Sequence, residues 1–139
     1  MMKKLTLIFT LLIISCNSKV DQKKLHLLNG YWEIKEVTFV DGAKKEYSIN
    51  STVDYIQLDS LEGFRKKVDP KFNGTFETSN DAEPFKIIIS NDSIFMKYKN
   101  DSNIWEEALI SLEEESFSVK NNDGVTYKYN RFEPINITP

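Results

Sequence analysis

Covalent and acid–base chemistry near neutral pH draws on few side chains, and this 139-residue chain carries one cysteine and one histidine. Cys16 ends an apolar run, and His26 follows in the short segment Leu25-His26-Leu27-Leu28, ahead of everything patterned as strand. The strand-forming part of the chain therefore offers no imidazole as the general base that serine or cysteine nucleophiles commonly use. A lone cysteine also excludes an internal disulfide framework and a cysteine cluster for zinc. Carboxylates come as Glu106-Glu107 and Glu113-Glu114-Glu115, runs that read as a solvated edge and a turn, not as a paired acid and base. Asn121-Asn122-Asp123-Gly124 lacks the alternating ligands and later glutamate of a calcium loop and reads as a tight hairpin turn. The expectation is a protein that is not an enzyme, with no catalytic residues, no metal and no cofactor.

Composition narrows the partners. The formal charge is −3, and setting aside Lys3 and Lys4 makes the remainder more acidic. Nucleic acid is not an expected partner, because neutralising phosphates needs a concentrated basic face. Arg65-Lys66-Lys67 with Lys44-Lys45 reads either as a small basic patch for lipid head groups or an acidic ligand, or as lysines guarding an exposed strand edge. The length suits one hydrophobic core, and a 12% aromatic content favours half-buried strands over helices.

At the start of the chain, Met1 to Lys4 is basic, Leu5 to Ile14 is almost wholly apolar, and Ile13-Ile14-Ser15-Cys16 closes the run. The apolar stretch is too short to cross a bilayer and suits a signal-peptide core. Its last four residues resemble a bacterial lipobox. That resemblance implies a signal peptide over 1–15, cleavage before Cys16, and a lipid on the Cys16 sulfur that holds the protein to a membrane. Asn17 to Lys24 is polar without apolar period and reads as a flexible tether, so 16–27 is expected to be anchor and tether and 28–139 the domain. Asn17, where an aspartate would resemble an inner-membrane retention signal, points to the outer membrane of a bacterial cell envelope.

Beyond Leu28 the pattern has period two. Trp32 and Ile34 share one face and Val37 and Phe39 the other, so a one-residue slip at Lys35-Glu36 predicts a β-bulge. Thr52 to Leu58 and Leu61 to Val68 read as further strands. Phe72, Gly74 and Phe76 alternate as in a strand, while Asn73-Gly74 also fits a hairpin turn. Phe85, Ile87 and Ile89 alternate, as do Ile94, Met96 and Tyr98, then Ala108, Ile110 and Leu112; Trp105 is out of phase with that last set. Phe117 and Val119 precede Asp123-Gly124, after which Val125, Tyr127, Tyr129 and Arg131 share a face. Short strands at roughly ten-residue spacing, joined by hairpin-length turns, predict an all-β fold: an antiparallel up-and-down meander β-barrel of about 8 or 9 strands. Phe72, Phe76, Phe85, Ile87 and Ile89 are its expected inward residues, with Met96, Tyr98, Tyr127 and Tyr129. They line a ligand pocket or pack as a core, and their spacing leaves both open.

With the strands in place, Leu28-Asn29-Gly30-Tyr31-Trp32 resembles the Gly-x-Trp signature on the first strand of lipocalins and the wider calycin group. The stretch from Ser111-Leu112 to Tyr129-Asn130-Arg131 is similar to the ending of short bacterial lipocalin-like lipoproteins. The resemblance implies that Trp32 closes the barrel floor with Arg131 stacked on its indole, a contact worth about 0.5 to 2 kcal/mol. Neither the second-motif Thr-Asp-Tyr nor the cysteine pair of large eukaryotic lipocalins is found, so a deep calyx is not implied. The function expected is a membrane-anchored, non-catalytic domain binding a small apolar or amphipathic ligand. The rival expectation is a filled barrel without a ligand, acting as a structural or protein-interaction module of the envelope.

Overall fold

Asp21 accepts a hydrogen bond from the Lys23 amide at 2.9 Å and starts a 3-10 segment, η1 (Gln22–Leu28), whose buried residues are Leu25 and Leu28. The computed structural model describes residues 19–78 and 81–133; Cys16 lies outside the described residues. At the end of η1, the Asn29 side chain donates to the His26 carbonyl at 3.1 Å and accepts from the Leu58 amide at 2.6 Å. One short amide side chain thereby ties the end of η1 to the sheet.

Ten strands follow among the described residues. They are β1 (Gly30–Thr38), β2 (Lys44–Glu46), β3 (Val53–Asp59), β4 (Glu62–Pro70), β5 (Phe76–Thr78), β6 (Glu83–Ser90), β7 (Ser93–Lys99), β8 (Ile104–Leu112), β9 (Ser116–Asn121) and β10 (Thr126–Arg131). Eight of them, all but the short β2 and β5, run as an antiparallel meander, and β10 returns to pair with β1 from Trp32–Arg131 to Thr38–Thr126. The result is the closed up-and-down barrel expected from the turn spacing, with no free edge left on its main path. The β6–β7 connection places Asn91 and Asp92 at φ 49° and 66°, the left-handed pair that a two-residue hairpin of the right twist requires.

The β10 register skips between Ile34 and Glu36, so Lys35 is the extra residue of a β-bulge. The expected slip therefore lies inside β1, and its consequence is that Trp32 and Val37, on opposite parities, are both buried. The Lys35 carbonyl accepts from the Tyr47 amide at 2.9 Å, which carries the chain across to β3.

Strand phase sorts the interior into two halves. Nearest η1, Leu28, Trp32, Ile56, Ile94, Leu112 and Phe117 are buried in one apolar cluster, with Met96, Ile87, Leu109 and Val119 above them. At the opposite end, where β3, β6, β8 and β10 begin, inward positions turn polar and aromatic. The outer face of β1 and β3 holds a separate aromatic group, with Tyr31 stacked on Phe76 at 4.1 Å and tilted on Tyr55 at 4.9 Å.

One expected strand phase is corrected, and the open choice between strand and turn at Asn73-Gly74 is decided for the turn. Tyr98 faces Trp105 and Met96 faces Glu107 across β7–β8, so Trp105, Glu107 and Leu109 point inward, while Ala108 and Ile110 point outward. A small and a β-branched residue were compatible with either face, and the large indole takes the inside. Lys71-Phe72-Asn73-Gly74-Thr75 is a turn, closed by Lys71 N to Thr75 O at 2.8 Å with Gly74 at φ 81°, rather than a strand.

Candidate binding site at the barrel mouth

The floor shows why its sequence signature contains a glycine. Arg131 donates from Nε to the Glu114 carbonyl at 2.7 Å, from Nη1 to Asn29 at 2.9 Å and from Nη2 to Leu27 at 2.8 Å. Its guanidinium lies 4.1 Å from the Trp32 ring centroid, and Trp32 Nε1 donates to the Leu28 carbonyl at 2.8 Å. A side chain at Gly30 would place its Cβ 2.7 Å from Arg131 Nη1, on a backbone at φ 120°. Gly30 thus makes the space in which first strand, last strand and η1 are joined.

Above the packed half, the mouth holds a cavity of about 380 Å³ built around Arg65. β4 brings Arg65 inward opposite Ile56, and Lys67 inward opposite Asp54. The Arg65 side chain is 11% exposed, against 8% for Asp54 and 13% for Glu107. Its Nη2 donates to Asp54 Oδ2 at 2.9 Å, and Nη1 lies 3.4 Å from the Tyr98 hydroxyl and 3.8 Å from Glu107 Oε1. The guanidinium also sits 4.8 Å from the Tyr129 ring centroid. Lys67 Nζ reaches Asp54 Oδ1 at 3.1 Å from a largely exposed position.

The two buried carboxylates differ electrically. Burial pushes Asp54 up, but the Arg65 and Lys67 charges and hydrogen bonds outweigh it and hold the carboxyl below its ordinary range. Burial also pushes Glu107 up, and there the more distant Arg65 offsets only part, so the carboxyl stays above its ordinary range. Burial opposes the charge on Arg65, yet the surrounding Tyr129, Tyr98, Asp54 and Glu107 keep it firmly protonated. Burial raises the Tyr98 and Tyr129 phenols, leaving both as neutral hydroxyls. The mouth can therefore donate and accept hydrogen bonds at once, beside aromatic surface.

Of the residues expected to face inward, Tyr98, Tyr127 and Tyr129 line this cavity. Phe85, Ile87 and Met96 are buried in the core below and beside it. Ile89 is 38% exposed at the floor rim, one residue before the end of β6. Phe76 packs outside the barrel on Tyr31, and Phe72 is 82% exposed at the tip of its turn. The expected basic patch divides along strand parity. Arg65 enters the mouth, while the Lys66 ammonium lies 5.9 Å from the outer Tyr55 and Phe64 rings.

Asp54, Arg65 and Glu107 were not legible as a site from residue type. A signal does exist in parity: Asp54 is in phase with Ile56, and Glu107 with Trp105 and Leu109. Each is a charge on an otherwise apolar face.

Comparison with curated proteins gives no match. Two solved structures are similar: a lipocalin-like protein from Bacteroides uniformis and an uncharacterised protein from Bacteroides eggerthii, 12% and 11% identical to this chain. Each comparison covers 76% of this chain and 99% of the other, with a TM-score of 0.47. A family model described as lipocalin-like domain matches residues 28–119, from the last residue of η1 through the inward face of β9. By that match, over most of the barrel just described, the chain belongs to the lipocalin-like domain family.

Proposed function

We propose that this protein is a lipid-anchored binding protein whose barrel mouth takes a small amphipathic molecule without transforming it. The observation that carries the reading is the cavity of about 380 Å³, with Arg65 buried at its centre and tyrosine rings on its wall. The half nearest η1 is a cluster of buried apolar side chains and the polar groups stand at the mouth, which favours an amphipathic over a wholly apolar ligand. Domains of this family are generally non-enzymatic binders, and that supports binding without chemistry. His26 belongs to η1 at the floor, with Nδ1 3.1 Å from the Lys23 carbonyl, so it does not join Arg65 and Glu107.

The anchor rests on the sequence of residues 1–16, and it makes the membrane a partner and the bacterial outer membrane the location. Acyl chains contribute about 0.8 kcal/mol per buried methylene, so a doubly or triply acylated Cys16 holds essentially permanently. Labelled palmitate is expected on the wild type and not on Cys16→Ala; equal labelling would remove the anchor. The rival reading, a protein-interaction module of the envelope, draws on the exposed Ile49 and Phe72.

Native mass spectrometry of protein purified from its host, then titrated with envelope lipids, decides between them. A saturable one-to-one adduct that raises the melting temperature supports the binder, since ligand stabilises the folded state by RT ln(1 + [L]/Kd). A bare mass with an unchanged melt favours the interaction module.

A further inference from the structure

Charge in the mouth is already balanced. Arg65 and Lys67 are met by the buried carboxylates of Asp54 and Glu107, and a further cation, Lys66, and two further carboxylates, Asp81 and Glu83, border the same cavity. An anionic head group would compete with Asp54 for Arg65, at 2.9 Å, while facing the other carboxylates. A cationic one would meet the buried Arg65, whose charge does not titrate away. Either ion would also leave water for a site whose buried charges, Arg65 and Asp54, already meet each other at 2.9 Å. An uncharged group meets neither obstacle.

Hydrogen-bonding capacity remains on both sides of the cavity. A guanidinium has five N–H donors, and among the described residues Arg65 directs one to Asp54 and one weakly to Tyr98. Glu107 has its nearest cation at 3.8 Å, beyond hydrogen-bond reach, and the Tyr98 hydroxyl as its hydrogen-bonding neighbour, so a carboxylate with about four lone-pair sites keeps acceptor capacity. Donor and acceptor thus stand side by side, which matches a hydroxyl or an amide, groups that do both.

We propose that the mouth selects an uncharged head group rich in hydroxyl or amide groups, such as a sugar ring. Arg65 donates to its oxygens, Glu107 accepts its O–H or N–H protons, and Tyr127 and Tyr129 lie against its less polar face. This rests on the binder reading and names the ligand class within it.

The test uses full-length protein in lipid nanodiscs and three probes sharing one aromatic ring: phenyl β-glucoside, phenylacetate and phenethylammonium. Binding is followed by tryptophan fluorescence, since Trp105 stacks on the cavity residue Tyr98 at 5.2 Å. Phenyl glucoside is expected to bind saturably and roughly ten-fold tighter than either ion, the scale of one well-made hydrogen bond set against a desolvated charge. Glu107→Leu is expected to lose that preference, while Glu107→Gln, which keeps an acceptor oxygen and the shape, retains it. Tighter or equal binding of phenylacetate or phenethylammonium, or unchanged glucoside binding in a folded Glu107→Leu, overturns the head-group assignment and leaves the binder reading standing. No response to any probe overturns the assignment too; a bare mass from the host-purified protein as well would then remove the binder reading.

Discussion

Arg65 is the residue on which the mouth depends, because a buried guanidinium is tolerable only while its partners hold. Asp54→Asn removes the carboxylate at 2.9 Å and is expected to destabilise the fold by about 3 kcal/mol, as breaking a buried ion pair from one side commonly does. Urea unfolding of the two proteins side by side measures it; a loss indistinguishable from zero would mean that water reaches Arg65 freely. Glu107 makes the opposite case. Its folded pKa is raised, so the stability linked to its protonated form is complete below the ordinary glutamate value and is lost as pH rises through the folded one. Glu107→Gln is therefore expected to be more stable than wild type at pH 7, with the gap closing as pH falls through the raised folded value and gone once it reaches the ordinary glutamate value of about 4.3. Melting curves across pH 4 to 8 check the sign; a variant that loses ground between pH 5 and 7 would show that attraction to Arg65 outweighs burial.

At the scale of elements, the floor is a joint of three segments, η1, β1 and β10, and Gly30 is its weak point. Gly30→Ala sets a Cβ 2.7 Å from Arg131 Nη1 on a backbone at φ 120°, so a cost of about 2 kcal/mol is expected from strain and displaced hydrogen bonds. Denaturant midpoints of the variant and of the wild type test this; a midpoint shift near zero would mean that Arg131 is not held as described. The bulge at Lys35 has the matching role higher on β1, turning Val37 inward beside Tyr127. Both devices were visible as local sequence patterns, a Gly-x-Trp and a slip of alternation, because each is dictated by neighbours along one strand. The inward face of β8 was not visible, since Ala108 and Ile110 alternate as convincingly as Trp105 and Leu109. Only pairing with Tyr98 and Met96 on β7 decides between the two.

For the whole molecule, the barrel has a direction. Lys19 Nζ contacts Asp92 at 3.1 Å in the floor-side turn between β6 and β7, and η1 closes the same end, so the chain enters at the floor. An anchor at Cys16, close in sequence to Lys19, would hold the floor toward the membrane and turn the mouth away from it. A fluorophore at position 92 is then expected to be quenched by spin-labelled lipid and one at position 122, in the β9–β10 turn at the mouth, to be spared. Equal quenching of both would mean that the barrel lies on its side. The amino-acid sequence by itself determined the barrel and the bulge, because turn chemistry and two-residue alternation act between near neighbours; the pairing of Trp32 with Arg131, residues far apart in the chain, came from the resemblance to lipocalins. Tertiary structure alone decided the site. Asp54, Arg65 and Glu107 stand on three separate strands, each an unremarkable surface charge by type. Barrel closure removes their water together, and that shared loss of solvent makes them partners.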